Sequence, residues 1–130
     1  MGMPLVLVIE DDQDLQGPME EALIEGGFEV AMAASGEEAV MLLKNRLAPY
    51  RALVTDINLT GTLDGWEVAK TAREIDPAFP IVYISGAAGE QWPSHGVPNS
   101  ILLQKPFALA QLVTAVSQLL NDVPPAAPTA

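Results

Sequence analysis

The feature that most limits what this chain can fold into is Leu5-Val-Leu-Val-Ile9, an unbroken apolar run rich in β-branched residues that halts at three acids, Glu10, Asp11 and Asp12. A strand with one wet face alternates polar and apolar residues, whereas a run without alternation belongs in a sheet covered on both faces. The pattern therefore asks for a layered α/β fold and sets clustered carboxylates at the end of a buried strand.

The remaining sequence repeats the theme. Leu15, Met19, Ala22 and Leu23 share one stripe of a helix predicted over 13–25, with Asp12 or Asp14 to cap it and Gly26-Gly27 to stop it. Pro18 lies beyond the first turn if Asp12 is the cap, and is expected to cost a backbone hydrogen bond and bend the helix. Further strands are predicted at 28–32, 51–55, 80–84 and 100–103. Between them fall a helix opened by the capping box Ser35/Glu38 and running to about Asn45, one over 64–75, a weaker piece at 88–92 broken by Pro93 and Gly96, and a last helix over 109–120. Strand and helix alternate throughout, so the economical fold is an open parallel sheet with helices on both faces. Residues 1–123 are expected to form one domain, and 124–130, all proline, alanine and threonine, a disordered tail.

Composition narrows the function. With 130 residues, 49% of them hydrophobic, the chain can bury one sizeable core. The absence of cysteine removes disulfides, thiolate metal sites and thiol nucleophiles. A net charge of -11 repels phosphate backbones, so nucleic acid is not an expected partner. The first apolar run is too short to span a membrane and lacks the flanks of a signal peptide, so a soluble cytoplasmic protein is expected.

In an open α/β sheet, ligands sit at the carboxyl ends of the strands where strand order reverses. Glu10 and Asp11 follow the first strand, Asp56 the third, Ser85 the fourth and Lys105 the fifth. Converging carboxylates repel one another and stay ionised only around a cation; Mg²⁺ (or Mn²⁺), which prefers oxygen ligands and phosphate, suits them. Such a set serves attack by a carboxylate on phosphorus, with Lys105 and the metal offsetting charge on the phosphoryl oxygens and Ser85 donating a hydroxyl. Asp56 stands alone after its strand and is the expected nucleophile; Glu10 and Asp11 form the metal pair, and the backbone carbonyl of Asn58 could also reach the metal. Asp12 reads as a cap, His95 as exposed and silent, Trp66 and Trp92 as packing residues, and Thr60-Gly-Thr62 matches no phosphate-cradling pattern.

Taken together, Leu5-Val-Leu-Val-Ile-Glu-Asp-Asp12, Thr55-Asp56-Ile-Asn-Leu59 with Asp64-Gly65, Ile81-Val-Tyr-Ile-Ser85-Gly86 and Lys105-Pro106-Phe107 resemble the receiver domain of two-component response regulators, from about Pro4 to Leu120. The resemblance implies a flavodoxin-like sheet of strand order 2-1-3-4-5, Mg²⁺ held by Glu10 and Asp11, and a phosphoryl group passed to Asp56 from a histidine kinase or histidine phosphotransferase. It also implies Ser85 as the switch hydroxyl, Lys105 as the family's lysine, and a cis bond to Pro106. Two departures stand out. The loop Leu59-Thr-Gly-Thr-Leu63 lacks the family's proline, is one residue longer, and is expected to be more mobile; the aromatic switch position, three residues before the lysine, is Leu102.

The expected function is a switch or phosphorelay intermediate without a covalent output domain, an enzyme at most toward its own phosphate. A downstream protein is expected on the face made by the short helix after strand four, strand five and the last helix. The alternative is an adaptor of the same fold that binds protein without being phosphorylated, suggested by Leu102 and the unusual loop. A metal-dependent phosphohydrolase is disfavoured, because Asp56-Ile-Asn58 lacks a second carboxylate to act as acid and base.

Overall fold

Strand β1 (Leu5–Ile9) is the centre of the architecture: it pairs in parallel with β2 (Glu29–Ala33) on one side and β3 (Tyr50–Asp56) on the other. Strands β4 (Ile81–Ser85) and β5 (Ile101–Gln104) extend the sheet beyond β3, giving the order β2-β1-β3-β4-β5, all parallel. The computed structural model describes residues 2–45, 48–86 and 91–122. The expected tail at 124–130 and the first part of the helix expected at 88–92 lie outside the described residues.

The unbroken apolar run of β1 is explained by its two neighbours above and below. Val6 and Val8 point to a core shared with Met19 and Leu23 of α1 (Gln13–Glu25) and with Leu112 and Val116 of α5 (Leu109–Asp122). Leu7 and Ile9 point the other way, to Ala39 and Leu43 of α2 (Gly36–Asn45) and to Trp66, Val68, Ala69 and Ala72 of α3 (Gly65–Ile75). Side chains of a strand alternate between faces, so each face of β1 fills a separate core.

Helix boundaries follow their caps. Asp12 accepts the N–H of Asp14 at the start of α1, and Asp64 accepts that of Glu67 at the start of α3. The capping box at α2 forms with a shift: Ser35 Oγ accepts the Glu38 N–H, while Glu38 reaches back to the N–H of Ala34 rather than that of Ser35. Helix α1 runs through Pro18, which is exposed, so the Asp14 carbonyl that loses its partner lies on the solvent side, where water can serve it.

The helix after β4 differs from expectation. It spans Trp92–His95 (α4), with Pro93 in its first turn and Gly96 as its C-cap. Proline opens this helix instead of breaking it, because the first-turn N–H groups have no intrahelical acceptor to lose. His95 is accordingly at a helix end rather than in a loop; it is exposed, and its ring lies tilted to that of Trp66 at 5.9 Å between centroids. Both tryptophans pack as expected: Trp66 is buried edge-on to Tyr83, and half-buried Trp92 donates its indole N–H to Ser100 Oγ.

Candidate functional site

Register brings the acids together. Ile9 pairs with Thr55, so the next residues, Glu10 and Asp56, emerge side by side from adjacent strands. This is the crevice where β1 lies between β2 and β3 and the sheet changes direction. One carboxylate oxygen each from Glu10, Asp11 and Asp56 lies within 4.8 Å of the others. Ser85 closes β4, and Lys105 follows β5 directly, its N–H donating to the Ser85 carbonyl at 2.8 Å, with a cis bond to Pro106. All five side chains singled out in the sequence therefore arrive at one rim of the sheet.

Asp56 is 5% exposed and held on both oxygens: Lys105 Nζ donates to Oδ2 at 2.9 Å, and the Asn58 N–H to Oδ1 at 3.3 Å. Asn58 thus contributes its backbone N–H to the site while its side chain faces solvent. Lys105 also stands 3.5 Å from Glu10 Oε1. Burial works against the charge on its ammonium, but Asp56, and then Glu10, outweigh that and raise its pKa.

Glu10 is fully buried. Oε2 accepts the Asp12 N–H at 3.1 Å, and Gln16, from the second turn of α1, donates its amide to the Glu10 carbonyl at 2.6 Å. Oε1 has no hydrogen-bond partner, since Lys105 sits at ion-pair rather than hydrogen-bond distance. Burial, opposed by the Asp12 N–H and reinforced by neighbouring Asp56, pushes the Glu10 carboxyl up from 4.5 to about 7. In the metal-free protein this group contributes stability fully below about pH 4.5, and that contribution is lost as pH rises through about 7. An orphaned buried oxygen among three converging carboxylates is what a hard, oxygen-seeking cation would satisfy, so the donor set fits Mg²⁺.

The loop between β3 and α3, expected to be more mobile, is tied at two points to other elements. Asp11 Oδ2 accepts both the N–H and the hydroxyl of Thr60, and Glu37 Oε2, from the first turn of α2, accepts both the N–H and the hydroxyl of Thr62. Neither tie was visible in the sequence, because the partners are 49 and 25 residues apart. Leu102 is half-buried against the α2/α3 core and pairs in register with Tyr83, whose hydroxyl accepts the Val97 N–H at 3.1 Å. Strand β5 itself carries no aromatic residue, and its neighbour on β4, Tyr83, is buried against Trp66.

The sequence matches the response regulator receiver domain over residues 6–117. The chain belongs to the response regulator receiver family. It is 35% identical to the response regulator receiver protein CpdR of Brucella abortus, over 91% of this chain and 98% of that protein. It is 37% identical to the transcriptional regulatory protein PrrA of Mycobacterium tuberculosis, over 91% of this chain but only 50% of PrrA. The crystal structure of a response regulator receiver protein from Sinorhizobium medicae superposes with a TM-score of 0.90 at 49% identity, covering 92% of this chain and 96% of that one. Receiver domains typically bind Mg²⁺ at an acidic pocket, and the cluster of Glu10, Asp11 and Asp56 could hold a metal ion. Among the described residues, no helix is long and apolar enough to cross a membrane.

Proposed function

We propose that this receiver is a phosphorylation-dependent switch or relay intermediate in which Asp56 takes a phosphoryl group from the phosphohistidine of a histidine kinase or histidine phosphotransferase. The observation that carries the reading is the ion pair of Lys105 with a nearly buried Asp56 beside two further carboxylates. An Asp56 oxygen attacks phosphorus; the new O–P bond forms as the P–N bond breaks, and the electron pair stays on the imidazole, which takes up a proton. Lys105 turns from the Asp56 carboxylate to the added phosphoryl oxygens, and Ser85 offers them its hydroxyl. Glu10, Asp11, Asp56 and the Asn58 carbonyl would hold Mg²⁺, which when bound supplies positive charge at the phosphoryl oxygens. On this reading the chemistry of the chain is the formation and loss of its own aspartyl phosphate.

The test is incubation with a small acyl phosphate, with and without Mg²⁺, followed by peptide mapping. One metal-dependent phosphoryl group on Asp56 is expected; label on another residue, or none above the metal-free control, overturns the reading. The half-buried aliphatic Leu102 favours a second reading, a protein-binding adaptor indifferent to phosphate. Equal binding of a downstream partner to phosphorylated and unphosphorylated protein would select it. The face formed by α4, β5 and α5 is where we place that partner.

The raised pKa of Glu10 gives this site a pH dependence. A cation needs the ionised carboxylate, so below about pH 7 its binding must expel a proton. Mg²⁺ affinity measured by calorimetry is expected to fall about tenfold between roughly pH 8 and roughly pH 6. Glu10→Gln should bind more weakly at high pH and lose most of this slope.

A further inference from the structure

The segment Thr60-Gly-Thr62 is a double clamp. At one end two donors of Thr60, its N–H at 3.2 Å and its hydroxyl at 3.1 Å, converge on a single oxygen of Asp11. At the other, the N–H and hydroxyl of Thr62 lie 2.8 and 2.7 Å from Glu37 Oε2, and these bonds hold the Glu37 carboxyl below its usual pKa. Gly61 between them has φ +106°, and a Cβ there would meet both Glu37 carboxylate oxygens at 2.9 Å. The turn is therefore shaped to bring both threonines onto acids that belong to other elements.

Asp11 is only partly buried, and a carboxylate on a short side chain at a strand end can turn about its own bonds. The two bonds from Thr60 to Oδ2 restrain that turning, and one oxygen of the same carboxylate lies within 4.8 Å of carboxylate oxygens of Glu10 and Asp56. Hydrogen bonds of this kind to a metal-binding carboxylate fix its orientation, and their removal commonly weakens metal binding 10- to 100-fold. We propose that Thr60 is a positioning residue for the cation site, holding Asp11 in the orientation that binds metal. This rests on the reading of Asp11 as a ligand, and it assigns a role to a loop position outside the acid cluster itself.

The test is calorimetric Mg²⁺ titration of the full chain and four variants, with thermal midpoints measured in parallel. Thr60→Val, which deletes the hydroxyl and keeps the backbone donor, is expected to weaken Mg²⁺ binding about tenfold, and Thr60→Ser to restore it. In an Asp11→Asn background, Thr60→Val should have no further effect, because the group it positions is gone. Unchanged or tighter binding by Thr60→Val, or failure of serine to rescue, overturns the positioning role while leaving the metal reading intact. Failure of the unsubstituted protein to bind Mg²⁺ overturns both.

Discussion

Asp56→Asn is expected to take up no phosphoryl group from an acyl phosphate or a phosphorylated histidine protein, with initial labelling lower by at least about a hundredfold, or about 2.7 kcal/mol of barrier. The amide has the shape of the carboxylate but neither its charge nor its nucleophilicity. The fold should tolerate the change, since Lys105 retains Glu10 at 3.5 Å as a counter-charge. Asp56 is also one of the groups that raise the Glu10 carboxyl, so its neutralisation should move the Glu10 pKa down from about 7 toward its usual value. Carboxyl titration followed by NMR would check the second effect independently of phosphorylation. Labelling of the variant at the parent rate would remove Asp56 from the role of acceptor.

Gly65→Ala is expected to be the most damaging single-methyl change at the site. Gly65 is the first residue of α3, and its N–H donates to the Ile57 carbonyl at 2.8 Å. A Cβ there would collide with the Asp56 carbonyl oxygen and approach the Ile57 Cα to 2.8 Å. Backbone cannot swing aside as a side-chain tip can, so the end of β3 and the start of α3 must separate. A cost of about 3 kcal/mol follows for overpacking of this kind, lowering the thermal midpoint by roughly 10 °C. The shift also moves Asp56, so phosphorylation should slow in the fraction that remains folded. Gly17→Ala is the matching control: beyond its chain neighbours and the backbone of its own helix, nothing lies within 4 Å of the added methyl, and crowding by the adjacent Pro18 offsets the better helix propensity of alanine, so the midpoint should move little. Equal midpoints for Gly65→Ala and the parent protein would show that β3 and α3 can part at no cost.

The fold was readable where a residue's local preference and its tertiary setting agree. The unbroken apolar β1 required cover on both faces, and the structure supplies α1 and α5 on one side and α2 and α3 on the other. Helix α1 begins after Asp12 and ends before Gly26, as its caps dictate. The same rule misplaced α4, since Pro93 reads as a breaker to anyone who cannot see which residue opens the helix. The convergence of Glu10, Asp11, Asp56, Ser85 and Lys105 on one rim was legible because strand ends are local features and the fold alone brings them together. The clamp by Thr60 and Thr62 was not, because hydroxyl-to-carboxylate pairs across 49 and 25 residues leave no periodic trace in the chain.

The anchors of that clamp carry a consequence for exchanging parts between receivers. Asp11 directly follows β1, and Glu37 lies in the first turn of α2, so both acceptors are bolted to elements that the β3–α3 loop does not own. The outline of the loop is then dictated by the gap between two fixed posts. Transplanted alone into a receiver with no acid at the start of its second helix, the segment would carry over its length and leave its shape behind.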